Sequence, residues 1–400
     1  MRRSSGSRQE KVTIGRTATI VHGLRRLLGG GIFPLLIVLA VAGTAAAALL
    51  SQPGEGPFTE RPQGKDSVLR PLAAGLFPTF IPISGVTPSG LAVDKVGNVY
   101  VSIREVRADG QHGLIWRFSP CGEGPSLFAE IGRGEIYGLA ATANGDLYAA
   151  MGRVGADRGV YRVDREGQVE LLPGTEQIVF ANALAFDDRG TLYVTESYSG
   201  TPPAYGPGGI WRIPRGGQAE LWLQHPLLSG INVLGYPIGA NGIAFFHGHL
   251  YVTNCAPGLV LRVPVWPDGS AGELEVWATL QEVPESPLAG SPIPLMADDV
   301  RLDVHGNVYV AVVSRAAVVR INALDKSQET LAAFIFPPSG SPLSAPLDFP
   351  ASLAFGTGKG EMQSLFVTNL GLGKVFVPAL PWPGPGLVKI DAGMPGEPFH

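Results

Sequence analysis

The chain is 400 residues long, 45% hydrophobic and 16% charged, with 54 Gly, 35 Pro and a net charge of −4. Gly and Pro at that density disfavour long helices and suit an all-β protein rich in turns. Two cysteines are too few for a disulfide framework, and the residues after 50 carry −10 between them, which excludes the basic surface that nucleic acid requires.

Residues 1–26 form a basic lead, with seven Arg or Lys against the single acid Glu10. Residues 27–50 follow without a charge, and Gly31–Leu50 ("GIFPLLIVLAVAGTAAAALL") supplies about 20 mostly apolar residues, enough to span a bilayer as a helix. This segment reads as a transmembrane anchor with its basic end in the cytoplasm. A cleaved signal peptide is the alternative, because "TAAAALL" offers small residues for cleavage and Arg25-Arg26 loosely resembles a twin-arginine signal. Either reading puts the rest of the chain outside the cytoplasm, membrane-anchored or secreted. Residues 51–68 form a Pro/Gly-rich polar linker.

Residues 69–400 are organised by a repeat. "SGLAVDKVGNVYVS" begins at Ser89, "YGLAATANGDLYAA" at Tyr137, "NALAFDDRGTLYVT" at Asn182, "NGIAFFHGHLYVT" at Asn241 and "DDVRLDVHGNVYVA" at Asp298. A looser copy, "ASLAFGTGKGEMQSLFVT", begins at Ala351. The aromatic of the second half recurs at Tyr100, Tyr148, Tyr193, Tyr251, Tyr309 and Phe366, with spacings of 48, 45, 58, 58 and 57 residues. Each unit predicts a small-apolar strand, a turn with Gly where positive φ is needed, and a β-branched and aromatic strand. A third strand such as "GIWRI" and a weaker fourth complete the unit. Four antiparallel strands repeated around an axis make an all-β, six-bladed β-propeller. Either the segment near Leu69–Ile83 or the tail "PGLVKIDAGMPG" closes the ring.

Blades of the form "NGIAFFHGHLYVTN", with "ADDVRLDVHGNVYVA" and "PASLAFGTGKGEMQSLFVTN", resemble the regucalcin/gluconolactonase/LRE-like (senescence-marker-protein-type) six-bladed propellers over roughly residues 85–395. The resemblance implies one divalent cation at the top of the central channel. Its ligands would be a Glu early in the first blade, an Asn opening the fourth and an Asp opening the fifth, with substrate held by an Asn opening the third. Carried over, Asn241 and Asp298 are metal ligands and Asn182 binds substrate. Ser89 stands where the family shows its Glu. The implied cofactor is Ca²⁺, with Mg²⁺, Mn²⁺ or Zn²⁺ as alternatives. The implied activity is hydrolysis of a small-molecule lactone or ester, with Asp298 also orienting or deprotonating water.

The residues lead to the same place without the family. The first residue of each inner strand of a propeller faces the axial funnel, and here these are Ser89, Tyr137, Asn182, Asn241, Asp298 and Ala351. Three consecutive oxygen-bearing side chains suit a hard cation, although Asn and Asp also start strands simply as Asx turns. The longest insertions, 222–239 and 282–296, lead directly into Asn241 and Asp298. Loops after the second strands lie on the same rim, which makes Glu196, Tyr198 and Asn254 candidate substrate-binding walls. His247 and His249 fall in a turn on the opposite face. Cys121 and Cys255 sit across the ring from one another, as packed thiols. Serine-hydrolase, zincin and Walker A patterns are absent. A binding propeller without catalysis, its metal site degenerate at Ser89, is the competing reading. The membrane, through the N-terminal segment, is the one macromolecular contact that the sequence suggests.

Overall fold

Each repeat folds as a four-stranded antiparallel sheet, and six such sheets follow one another along the chain. The computed structural model describes residues 80–397 apart from 153–156, 202, 233–234 and 337–340. The N-terminal lead, the apolar run and the linker lie outside the described residues, and among those described no helix is long and apolar enough to cross a membrane.

The first five blades are consecutive in sequence, with inner strands Thr87–Val93, Glu135–Ala141, Ala181–Phe186, Ala240–Phe246 and Ala297–Leu302. The sixth is composite. Pro350–Phe355, Ser364–Asn369 and Gly386–Asp391 supply its first three strands, and Phe80–Pro82 pairs with Gly386–Asp391 as the outermost. Of the two closures open to the sequence, the N-terminal one is used: the tail forms the third strand of the blade, and the start of the propeller completes it.

Local chemistry accounts for the hairpins. In the inner turn of blade one, Asp94 Oδ1 accepts the backbone N–H of Val96 (3.0 Å) and Asn98 (2.9 Å) while Gly97 takes φ 90°. Asp303 repeats the arrangement in blade five with His305, Asn307 and Gly306. These are Asx turns closed by a glycine in the left-handed region.

Packing between blades explains the rest of the motif. A separate apolar cluster fills each of the six blade interfaces, the one joining blades six and one including Leu91, Val99, Phe366 and Leu387. The inner strands crowd the axis closely enough to need glycine. A Cβ on Gly90 would lie 2.8 Å from the carbonyl of Tyr137, and one on Gly138 would collide with the carbonyl of Asn182.

The hydroxyl ending the "LYVT" strand is a latch between blades. Ser102 Oγ donates to the carbonyl of Ile136 (2.7 Å), and Thr195, Thr253 and Thr368 donate to those of Asn241, Asp298 and Ser89. Each also accepts an N–H from its own inner strand: Gly90, Ala183, Gly242 and Ser352 in turn. Blades two and five carry Ala150 and Ala311 at this position. For blade five, Asp299 makes the connection to blade six, its Oδ2 accepting from Ser352 Oγ (2.6 Å) and Leu353 N (2.9 Å).

Candidate functional site

Every inner strand breaks its register near its start. The pairing skips between Pro88 and Leu91, Ile136 and Gly138, Ala181 and Leu184, Ala240 and Ile243, Ala297 and Val300, and Pro350 and Leu353. A bulge frees its residues from the ladder and re-aims their side chains. The residues inside these bulges include Ser89, Tyr137, Asn182, Asn241, Asp298 and Ala351, and all six line one cavity of about 450 Å³ at the mouth of the axis. Leu139, Leu184 and Arg301 border both this cavity and a second, of about 390 Å³, on the opposite face. They form the waist of the channel.

Asn182 is buried, and its Nδ2 donates to Ser197 Oγ (2.9 Å), which in turn donates to the carbonyl of Ala240 (2.7 Å). With one N–H so committed, Asn182 keeps its carbonyl oxygen and its second N–H for a ligand. The Asn241 amide lies beside both Asp298 and Cys255, close enough to draw the pKa of each down. Desolvation first, then the adjacent Asp299 carboxylate, push the Asp298 carboxyl up to about 8, with the Asn241 amide pulling the other way. No Arg, Lys or His pairs with Asp298 among the described residues. Its neighbour differs: Asp299 Oδ1 takes Arg301 Nη1 at 2.7 Å, so its charge is balanced and spent on the structure.

Two residues that the repeat does not single out also border the cavity. Glu135, buried, is ion-paired to Arg104 (3.2 Å) and accepts from the Tyr137 hydroxyl (2.9 Å). It brings an acid to the funnel from blade two, in a ring whose first blade has Ser89. Cys255 is buried next to Asn241 and Asp298, and burial followed by the Asp298 charge pushes its thiol up. It is a neutral thiol, unlike an activated nucleophile.

The three rim residues turn elsewhere. Glu196 accepts Val179 N (2.7 Å) and Trp211 Nε1 (2.9 Å), and desolvation raises its pKa. Tyr198 packs between Phe180 (4.8 Å) and Tyr205 (4.9 Å), behind the cavity wall that Phe180 forms. Asn254 holds the 222–239 insertion, its Nδ2 donating to the carbonyls of Leu227 (2.7 Å) and Ser229 (3.0 Å). The 282–296 insertion is held by Arg315, only 2% exposed, which reaches Glu282, Ser291 and Ile293. His247 is exposed on the far side beside Glu397, and Cys121 and Cys255 are free thiols.

As a metal centre, the funnel offers Asp298, Asn182 and Asn241, with the Ser89 hydroxyl. An unbalanced carboxyl grouped with two amides fits a hard divalent cation. Among the described residues no three His, Cys, Asp or Glu side chains are arranged to hold a metal. The set therefore carries little charge, which means weak binding.

The same six-bladed fold is found in solved proteins. A luciferin-regenerating enzyme aligns at 15% identity and TM-score 0.54, over 78% of this chain and 93% of its own. A gluconolactonase from Xanthomonas campestris aligns at 16% and 0.52, over 81% and 89%. Regucalcin, a calcium-binding protein from Agrobacterium tumefaciens, aligns at 16% and 0.54, over 80% and 97%. No family model matches the chain, and no curated protein does. These neighbours bear the same names as the family that the blade motifs resemble. At such identities they establish the fold.

Proposed function

We propose that this propeller is a hydrolase of lactones or related esters, working at the funnel in dependence on a divalent cation. The observation that carries the reading is Asp298: a carboxyl without a cationic partner among the described residues, set among Asn182, Asn241 and Ser89 at the floor of a cavity large enough for a small molecule. Asn241, Asp298 and Ser89 would hold the cation, Ca²⁺ first and Mg²⁺, Mn²⁺ or Zn²⁺ as alternatives. When bound, such a cation polarises a carbonyl and stabilises the charge that develops on it. Asn182 orients the substrate. Asp298, ionised, orients the attacking water or takes its proton. The solved gluconolactonase and regucalcin support a lactone-type activity and a cation. Export rests on the basic lead and the apolar run of residues 27–50, which would anchor the propeller to a membrane or release it outside the cytoplasm.

A second reading has its own observation. Ser89 stands where the resembled family has an acid, and Glu135, an acid that blade two brings to the cavity, is engaged by Arg104. A funnel with that much lost charge suits a propeller that binds a ligand without turning it over. Metal content of the purified protein, followed by lactone hydrolysis with and without chelator, separates the two. Chelator-sensitive turnover supports the hydrolase, and a metal-free protein without turnover supports the binding propeller.

A further inference from the structure

The walls above the polar floor are apolar. Phe180 on one side, Leu288 and Met296 from the 282–296 insertion, and Phe349, Leu372 and Phe376 from blade six enclose the cavity. The polar side chains among them are few and partly engaged. Ser314 Oγ accepts Met296 N (2.9 Å), Ser291 Oγ accepts Ile293 N (3.2 Å), and Arg301 is held by Asp299. A polyhydroxylated ring lying against these walls would surrender more water than the few polar groups there can replace, which a buried hydroxyl tolerates poorly. An alkyl chain would lose nothing by leaving water.

The wall is also built to stay. Arg315, buried and bonded to Glu282 and to the backbone of the insertion, fixes the segment that carries Leu288 and Met296. Trp382 stacks on Phe334 (4.4 Å) and packs against Phe349 (5.8 Å), behind the blade-six side of the cavity. An apolar pocket with a few convergent polar groups is the usual form of a small-molecule site.

From this, and resting on the hydrolase reading, we infer that the substrate is a lactone or ester bearing an apolar tail. The tail lies against the Phe180, Leu288 and Phe349 walls, and the carbonyl reaches the Asn182–Asn241–Asp298 floor. Hydroxylated sugar lactones are disfavoured by the same walls.

The test uses the full chain with δ-valerolactone, δ-octalactone, δ-decalactone and glucono-δ-lactone. Hydrolysis is read as kcat/KM, and binding is read by calorimetry with the matching δ-lactams, which resist hydrolysis. The expected result is a rise in kcat/KM of about fourfold for each methylene added until the cavity is filled. Glucono-δ-lactone should fall at or below δ-valerolactone, and Leu288→Asn and Leu372→Asn should each flatten the gradient. Turnover without any dependence on the tail, or best on glucono-δ-lactone, overturns the apolar-substrate inference and leaves the hydrolase standing. Lactam binding that tightens with tail length, without turnover of any lactone, overturns the hydrolase and keeps the apolar ligand. Neither binding nor turnover overturns both.

Discussion

The hydroxyl of Thr253 in blade four donates to the backbone carbonyl of Asp298 in blade five while accepting the N–H of Gly242 (2.8 Å). One side chain thus ties the strand that ends at the rim to the residue at the floor of the funnel. Thr195 does the same for Asn241. With Thr368 on the carbonyl of Ser89, three of the polar floor residues are therefore positioned by the preceding blade of the ring, through a motif residue that looks like ordinary strand filler.

Thr253→Val keeps the shape and removes both hydrogen bonds. Leaving the Gly242 N–H and the Asp298 carbonyl unpaired in the interior should cost about 1–3 kcal/mol each, and Thr253→Ser should recover most of it. Urea unfolding of the three proteins reads this directly. Equal midpoints for wild type and Thr253→Val would remove the latch from the account of stability.

The floor should divide its labour. Asp298→Asn is expected to weaken cation binding more than Asn241→Ala does, because Asp298 supplies the one unbalanced charge of the set. Asn182→Ala should raise KM and leave cation affinity in place. Calcium titration by calorimetry, paired with lactone kinetics, checks the order. A larger loss from Asn241→Ala than from Asp298→Asn would mean that the charge is held elsewhere.

The raised carboxyl predicts a pH dependence. With Asp298 titrating at about 8 in the cation-free protein, a proton competes with the cation below that pH. Affinity should fall about tenfold per unit as pH drops below about 8, and level off above it. Stability has the opposite sign. The folded value lies above the unfolded one of about 3.9, so this group's contribution is full below that value and is lost as pH rises towards about 8. In chelator, wild type should therefore lose Tm relative to Asp298→Asn over that window, and saturating Ca²⁺ should restore it. Parallel Tm profiles for the two proteins would show that Asp298 ionises normally.

Gly138 packs against the backbone of Asn182 with no room for a methyl group. Gly138→Ala should cost about 1–3 kcal/mol or more through overpacking and shift the Asn182 bulge. Gly124, which has open space around it, should accept Ala within about 0.5 kcal/mol. Thermal melts of the pair provide the comparison, and a harmless Gly138→Ala would place the inner strands further apart than described.

The repeat made the blades and the inward positions legible, because most copies start with a residue whose type breaks the apolar pattern that follows. Asn182, Asn241 and Asp298 stood out as polar where Ala351 is apolar, and the six starting positions share one cavity. Glu135 escaped the alignment because it opens its strand two residues ahead of Tyr137, just before the register skip at Ile136. An acid immediately preceding the motif was its only signal. Cys255 was open to the rule that named Asn254, applied one residue further along the rim. Orientation was the part that sequence could not convey. Asn254 and Glu196 stand at the rim, but the Asn254 Nδ2 goes to the carbonyls of Leu227 and Ser229, and the Glu196 carboxylate to Val179 N and the Trp211 indole. The closing strand was ambiguous because Phe80–Pro82 is three residues long, too short for a periodic signal.

That short strand also sets a timetable. Phe80–Pro82 waits for a partner, Gly386–Asp391, which leaves the ribosome roughly three hundred residues later. At about 5–20 residues per second this is some fifteen seconds to a minute of synthesis. Until then Leu91 and Val99 lack the Phe366 and Leu387 side chains that cover them in the finished ring. The nascent propeller is an open arc with an oily edge at its oldest end, the kind of surface that draws chaperones or neighbouring chains. Its ring closes only when its earliest described strand meets its latest.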